Sequence, residues 1–370
     1  MNEMKRMDWI DMARGYGILL VMIAHLCEWT PVGSLIYSFH LPLFFLISGY
    51  LFSTRESFAA FAKRKITGML VPYFCLAIPM ILWDIFVEKG GLSWMYAPMF
   101  QGTKLVSVDS YGGTFDWSRM GAQQPISVLC RDVLGLLIQK RMWTFWFLAC
   151  LFVLSFLFYF IVRFLKKEWI RAVVVSAVSA VGFLYYALGQ DALPWNADAA
   201  LTAMPFFYVG WLLKTYGLLD KWLFKDKSYR VRKWGVLMFT LAFLCNGFFC
   251  FLNWVVAGQG LEMYFSQYGF LPFMFLSAFA GIFATIVLAG IYPIRPIKYI
   301  GRYSLVYFLL HQGICYPLME GIFFRLHIFQ SDSGIMFWLR VIVEVAASIG
   351  ILTLFNFILR KTPLRFVLGK

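Results

Sequence analysis

Apolar stretches of eighteen or more residues recur along the whole of this chain, and that repetition closes off most folds. A helix of about 20 residues matches the roughly 30 Å hydrocarbon layer of a bilayer. Lipid offers no partners for backbone N–H and C=O groups, so a spanning segment must satisfy its own, as a helix does. Composition points the same way, because 61% hydrophobic and 14% charged residues do not describe a soluble globular domain. The expected fold class is all-α: a polytopic integral membrane helical bundle of about ten transmembrane helices, forming one domain over residues 1–370. The spans are expected near residues 10–29, 34–53, 67–87, 143–163, 170–189, 198–216, 234–256, 268–292, 303–324 and 335–359.

The formal charge of +14 sits in short clusters between the apolar runs, without a continuous basic face. That pattern fits the positive-inside rule and argues against a nucleic-acid partner. Alternating the loops gathers Lys5, Arg6, Arg55, Lys63, Arg64, Lys65, Lys166, Lys167, Lys221, Lys225, Lys227, Lys298 and Lys370 on one side. The opposite loops hold few, Lys89, Lys104, Arg119, Arg131, Lys140, Arg141 and Arg325, and those near 190–197 and 258–266 carry no Lys or Arg. Both termini are therefore expected in the cytoplasm, with the protein multi-pass in the cell (plasma or inner) membrane. No cleavable signal is expected, because the first apolar run holds Arg14 and His25 and lacks a small-residue cleavage site. The seven cysteines fall in or beside apolar runs with no metal spacing, so neither a disulfide framework, a metal site nor a bound cofactor is expected.

The expected extracytoplasmic loop over 88–142 holds Trp94, Tyr96, Tyr111 and Trp117, and Ile126 to Gln139 patterns as a helix lying at the membrane surface. A cover for a site that binds sugar with its aromatics and a solvated connector both fit it.

Ionisable groups inside a membrane are costly and usually mark function. Arg14 and His25 lie eleven residues apart in the first apolar run. At about 100° and 1.5 Å per residue they share one helix face, about 16 Å apart. The alternative is that Arg14 snorkels to the headgroups and His25 packs. The second run returns through Trp29-Thr30-Pro31-Val32-Gly33 and brings His40 to a depth near that of His25. Pro42 removes a backbone donor and should kink that helix. Glu28 shares a face with His25 and is placed either to orient its ring or as a headgroup-level charge.

Asp11-x-x-Arg14-Gly15, Arg14-x10-His25, Phe39-His40-x-Pro42-Leu43-Phe44-Phe45 and Ser48-Gly49-Tyr50-Leu51-Phe52 together resemble the membrane-bound acyltransferase-3 family. They are most similar to its stand-alone branch, which acetylates sugars of surface polysaccharides. The resemblance implies acyl transfer from acetyl-CoA as co-substrate to a hydroxyl of a saccharide or lipid-linked glycan. It makes His25 the general base or acyl-handling residue and has Arg14 hold the donor. Trp146-Phe147-Leu148 resembles the family's WFL, and Gly301-x-x-Ser304 with Tyr307 and His311 resembles its late Ser…Tyr…His pattern. Trp146, His40, Glu28 and His311 are thus candidate substrate-binding residues. Arg64 and Lys65 are candidates for the CoA phosphates, although Thr67 departs from the family's Arg-x-x-Arg, and lipid phosphate explains the cluster equally well. Arg340 and Glu344, spaced i, i+4, with Glu320 nearby, pattern as an intramembrane ion pair. A transporter or flippase for a sugar or glycolipid is the competing function, and a receptor or scaffold a third.

Overall fold

The computed structural model describes residues 8–89, 125–142, 144–219, 229–329 and 333–368. Lys5, Arg6, Lys221, Lys225, Lys227, Lys370 and the aromatic residues Trp94, Tyr96, Tyr111 and Trp117 lie outside the described residues. The described residues are 82% helical, and the only strand-like pairing among them is an isolated bridge between Glu262 and Gln267.

In chain order the helices are α1 (Asp8–Leu26), α2 (Pro31–Tyr37), α3 (His40–Tyr50), α4 (Phe58–Lys65), α5 (Val71–Lys89), α6 (Pro125–Ile138), α7 (Trp146–Phe164) and α8 (Glu168–Ala187). They continue with α9 (Ala197–Thr215), α10 (Tyr229–Ala257), α11 (Leu271–Ile291), α12 (Arg295–Arg302), α13 (Ser304–Leu310), α14 (Tyr316–Arg325) and α15 (Gly334–Lys361). Helix occupies every expected span. Among the described residues, eight segments are long and apolar enough to cross a membrane; α9 and the interrupted pair α13–α14 occupy the other two expected positions. The segment expected over 126–139 is helical as α6, with Leu129, Val133 and Leu137 exposed.

The described residues fall into two compact units. The first comprises Met1–Ser53, Glu168–Ala180 and Thr202–Ser304; the second comprises Thr54–Lys167, Val181–Leu201 and Leu305–Lys370.

In the first unit, α1 packs backbone to backbone on α12. A side chain at Gly301 would strike the carbonyl of Asp11, and one at Gly15 would strike the carbonyl of Ile297. Lys298 closes the same contact with a 2.6 Å ion pair to Asp8. The second span is two helices rather than one bent one. It breaks at Ser38–Phe39, four residues before Pro42, because the proline ring clashes with the carbonyl of residue i−4, here Ser38. A buried polar knot holds the break: Asn246 Nδ2 donates to Ser38 Oγ at 2.8 Å and to the Ser277 carbonyl at 2.9 Å. Ser277 Oγ donates to Ser38 Oγ at 3.0 Å.

In the second unit, two π-turns repeat that proline logic. Ile66–Leu70 precedes Pro72 and His311–Cys315 precedes Pro317. Both prolines lie four residues after a glycine, Gly68 and Gly313, and π-turns absorb the lost backbone bond. The expected ion pair is present, with Arg340 bonded to Glu320 at 2.8 Å and 3.5 Å from Glu344. All seven cysteines are unbridged. Cys27, Cys150 and Cys315 are buried as expected, whereas Cys130 and Cys245 face outward. Cys130 lies on α6 and Cys245 on α10, both exposed, where a small apolar thiol is tolerated.

Candidate active site

Helix α1 runs unbroken from Arg14 to His25. Between them on the same stripe lie Ile18, Val21 and Met22, each at most 1% exposed. Arg14 and His25 are half-buried at the two ends of that stripe. The face they share therefore packs into the first unit rather than into surrounding lipid. Arg14 stands on the turn between Asp11 and Gly15, where α12 presses closest.

His25 is the penultimate residue of α1, and the chain then turns sharply. Thr30 caps α2 by accepting from Gly33 N at 3.1 Å, its own hydroxyl donates to the Cys27 carbonyl at 2.7 Å, and Pro31 begins the helix. Gly33 is required there because a Cβ would strike the Cys27 carbonyl. This tight return brings Tyr37, one helix later, against His25. The Tyr37 hydroxyl and His25 Nδ1 share a 3.0 Å hydrogen bond. The Tyr37 ring sits edge-on to both imidazoles, 5.8 Å from His25 and 5.0 Å from His40 between ring centroids. Tyr37 is 6% exposed and His40 2%.

His40 Nδ1 donates to the Ile36 carbonyl at 3.0 Å. That carbonyl would bond the His40 amide if the span were one continuous helix, so the ring repairs the break that Pro42 causes. Because a carbonyl only accepts, His40 is fixed with its proton on Nδ1.

Glu28 lies in the turn after α1, within electrostatic reach of Tyr37. Glu262 faces Tyr37 more strongly, from the loop after α10. That loop is built: Glu262 and Gln267 exchange two 2.8 Å backbone bonds. Asn253 accepts from Phe270 N at 2.9 Å and donates to the Tyr268 carbonyl at 3.2 Å. Tyr268 in turn shares a 2.8 Å bond with Thr202. Burial, and then the charge of Glu28, push the Glu262 carboxyl up to about 7. Burial also raises Glu28, partly offset by a hydrogen bond from Trp29.

His25, Arg14, His40 and Glu28 thus all belong to the first unit. Trp146, His311, Arg64 and Lys65 belong to the second. Trp146 is buried at the start of α7 with the Arg141 guanidinium 5.2 Å over its ring, and its carbonyl accepts from Asn196. Arg141 also pairs with Asp198 at 2.5 Å. His311 is fully buried, its Nδ1 donating to the carbonyls of Tyr307 at 2.8 Å and Phe308 at 3.0 Å. Arg64 is exposed and bonded to Glu56 at 2.7 Å, and Lys65 Nζ donates to Ser155 at 3.0 Å.

Two residues at the site, Tyr37 and Glu262, are absent from the sequence-based candidates. Tyr37 precedes His40 by three, a spacing that shares a helix face. Glu262 is a lone carboxylate in a loop without Lys or Arg. Both signals were present, but each depends on a turn and a loop conformation that periodicity does not report.

Helices of membrane-spanning length, with a cation and an imidazole on one buried stripe, define a multi-pass membrane protein built around ionisable groups. The acyltransferase-3 family model, described as an acyltransferase domain, matches residues 7–357. The chain belongs to that family and is a membrane acyltransferase. Neither a curated protein nor a solved structure matches it.

Proposed function

We propose that this acyltransferase moves an acetyl group from acetyl-CoA to a hydroxyl of a cell-surface or lipid-linked saccharide, from a site in the plasma or inner membrane with both termini cytoplasmic. The observation that carries this reading is the buried stripe of α1, which sets a guanidinium and an imidazole at opposite ends of one protein-facing surface. The saccharide acceptor rests on the likeness of the first two spans to the polysaccharide-modifying branch.

In this mechanism the His25 imidazole takes the proton of the acceptor hydroxyl, the work for which a side chain titrating near neutrality is suited. The acceptor oxygen then bonds to the thioester carbonyl carbon, the carbon–sulfur bond breaks, and the proton ends on the departing CoA sulfur. Arg14 presents a planar, permanently charged fork of donors to phosphate or carbonyl oxygens of CoA. The separation of about 16 Å along α1 suits a donor whose nucleotide end and thioester end lie far apart. His40 and Glu28, in the same unit as His25, are assigned to the acceptor.

The test is transfer of labelled acetyl groups from acetyl-CoA to surface glycan in purified membranes. Incorporation should occur with the wild type and fall by at least about 10²-fold in His25→Ala. In sealed vesicles it should require acetyl-CoA on the face that carries the termini. Incorporation without internal acetyl-CoA, or retained by His25→Ala, overturns the reading.

A further inference from the structure

We propose that α12 binds the phosphates at the nucleotide end of the donor, with Arg295, Lys298 and Arg302 as the contacts. The proposal deepens the reading above and rests on acetyl-CoA as donor. Residues 292–304, which are α12 and its flanks, hold these three cations and no Asp or Glu. At about 100° per residue the three fall within about 60° of one another on one helix face. Ile297 and Gly301 lie on the other side, and that is the side pressed against α1. Arg295 and Arg302 are exposed, so the charged face looks outward from the first unit.

That face is held firmly at the end of α1 opposite His25. The Tyr16 hydroxyl donates to the Tyr292 carbonyl at 2.8 Å and pins the entry to α12. Further along, the Ile297 carbonyl abuts Gly15, the residue after Arg14, and Gly301 abuts the Asp11 carbonyl. Backbone contacts at both ends of so short a helix leave it little freedom relative to Arg14. Lys298 pairs with Asp8 at 2.6 Å, but the Asp8 side chain is 70% exposed. An ion pair so open to water is weak, and a phosphate can replace the carboxylate. The Arg302 guanidinium lies 5.8 Å over the Tyr303 ring.

Phosphate recognition calls for charges of one sign, fork-shaped donors that take two oxygens at once, and a fixed spacing between them. CoA carries a diphosphate and a 3′-phosphate at one end and its thioester at the other. Anchored on α12, the donor passes Arg14 and points its thioester toward His25. Arg64 and Lys65, the candidates that the resemblance offers for these phosphates, lie in the second unit and are bonded to Glu56 and Ser155. An acidic lipid headgroup has the same phosphate chemistry, so the experiment must separate the two.

The test is equilibrium binding of CoA to the purified protein in discs of phosphatidylcholine, which has no net charge. The paired change Arg295→Gln with Arg302→Gln should weaken binding at least about tenfold, the equivalent of one charge-assisted hydrogen bond. The pair Arg295→Lys with Arg302→Lys should bind CoA more tightly than the glutamine pair, which separates lost charge from lost fold. The wild type should prefer CoA to dephospho-CoA, and dephospho-CoA to pantetheine, and the glutamine pair should flatten that preference. Equal CoA affinity in the wild type and the glutamine pair overturns the proposal. It is overturned equally if the glutamine pair keeps CoA and loses only its affinity for phosphatidylglycerol, because the face then belongs to lipid. A wild type that binds no CoA would sink both the site and the donor assignment. The expected binding pattern without any acetyl transfer would sink the assigned reaction and leave the phosphate site standing.

Discussion

Single residues in this protein carry roles that their chemistry alone leaves open. His25 and His40 have the same side chain and stand close together. Yet His40 is committed to repairing a broken helix, whereas His25 meets a hydroxyl whose direction can change. Arg14 is the residue for which charge and shape are most cleanly separable. A lysine there keeps the positive charge and loses the fork, so Arg14→Lys should raise the KM for acetyl-CoA about 10- to 100-fold, the equivalent of one charge-assisted hydrogen bond, while kcat changes little. Initial-rate kinetics at varied acetyl-CoA decide this. A drop in kcat with unchanged KM would place Arg14 with the reacting atoms instead.

Among the elements, the interrupted spans hold most of the local information. Pro42, Pro72 and Pro317 each disturb the helix around the residue four positions earlier, as the loss of an N–H and the ring clash require. The break before α3 allows Tyr37 to end one helix while His40 begins the next, which places a phenol between two imidazoles. Asn246 holds that break from α10. Asn246→Ala removes its bonds to Ser38 and Ser277 and leaves both hydroxyls buried, a change that costs about 1–3 kcal/mol. Thermal unfolding in detergent should show the lower stability. Acetyl transfer measured well below the midpoint should also fall, because the partner of His25 is displaced. Full activity in a destabilised variant would show that the break need not be held so firmly.

For the whole molecule, hydropathy and charge asymmetry were sufficient to place helix in every expected span and to outline a polytopic bundle. The sidedness that the asymmetry implies is directly checkable. In a background with the outward-facing Cys130 and Cys245 changed to serine, Gln190→Cys should react with a membrane-impermeant maleimide from outside intact cells, and Lys166→Cys only after the membrane is opened. The reverse pattern would invert the topology and with it the side from which acetyl-CoA arrives. Sequence by itself determined the class of fold, the shared face of Arg14 and His25 and the disturbance at Pro42, because each follows from helix period, apolar length or the covalent structure of proline. Tertiary structure decided the rest. It showed that the α1 stripe is buried within the first unit and that Tyr37 meets His25. It also assigned Trp146, His311, Arg64 and Lys65 to the other unit. The physical reason is that periodicity fixes which direction a side chain points from its own helix, whereas what it meets there depends on turns, loop conformations and backbone approaches such as Gly15 and Gly301, which no local pattern encodes.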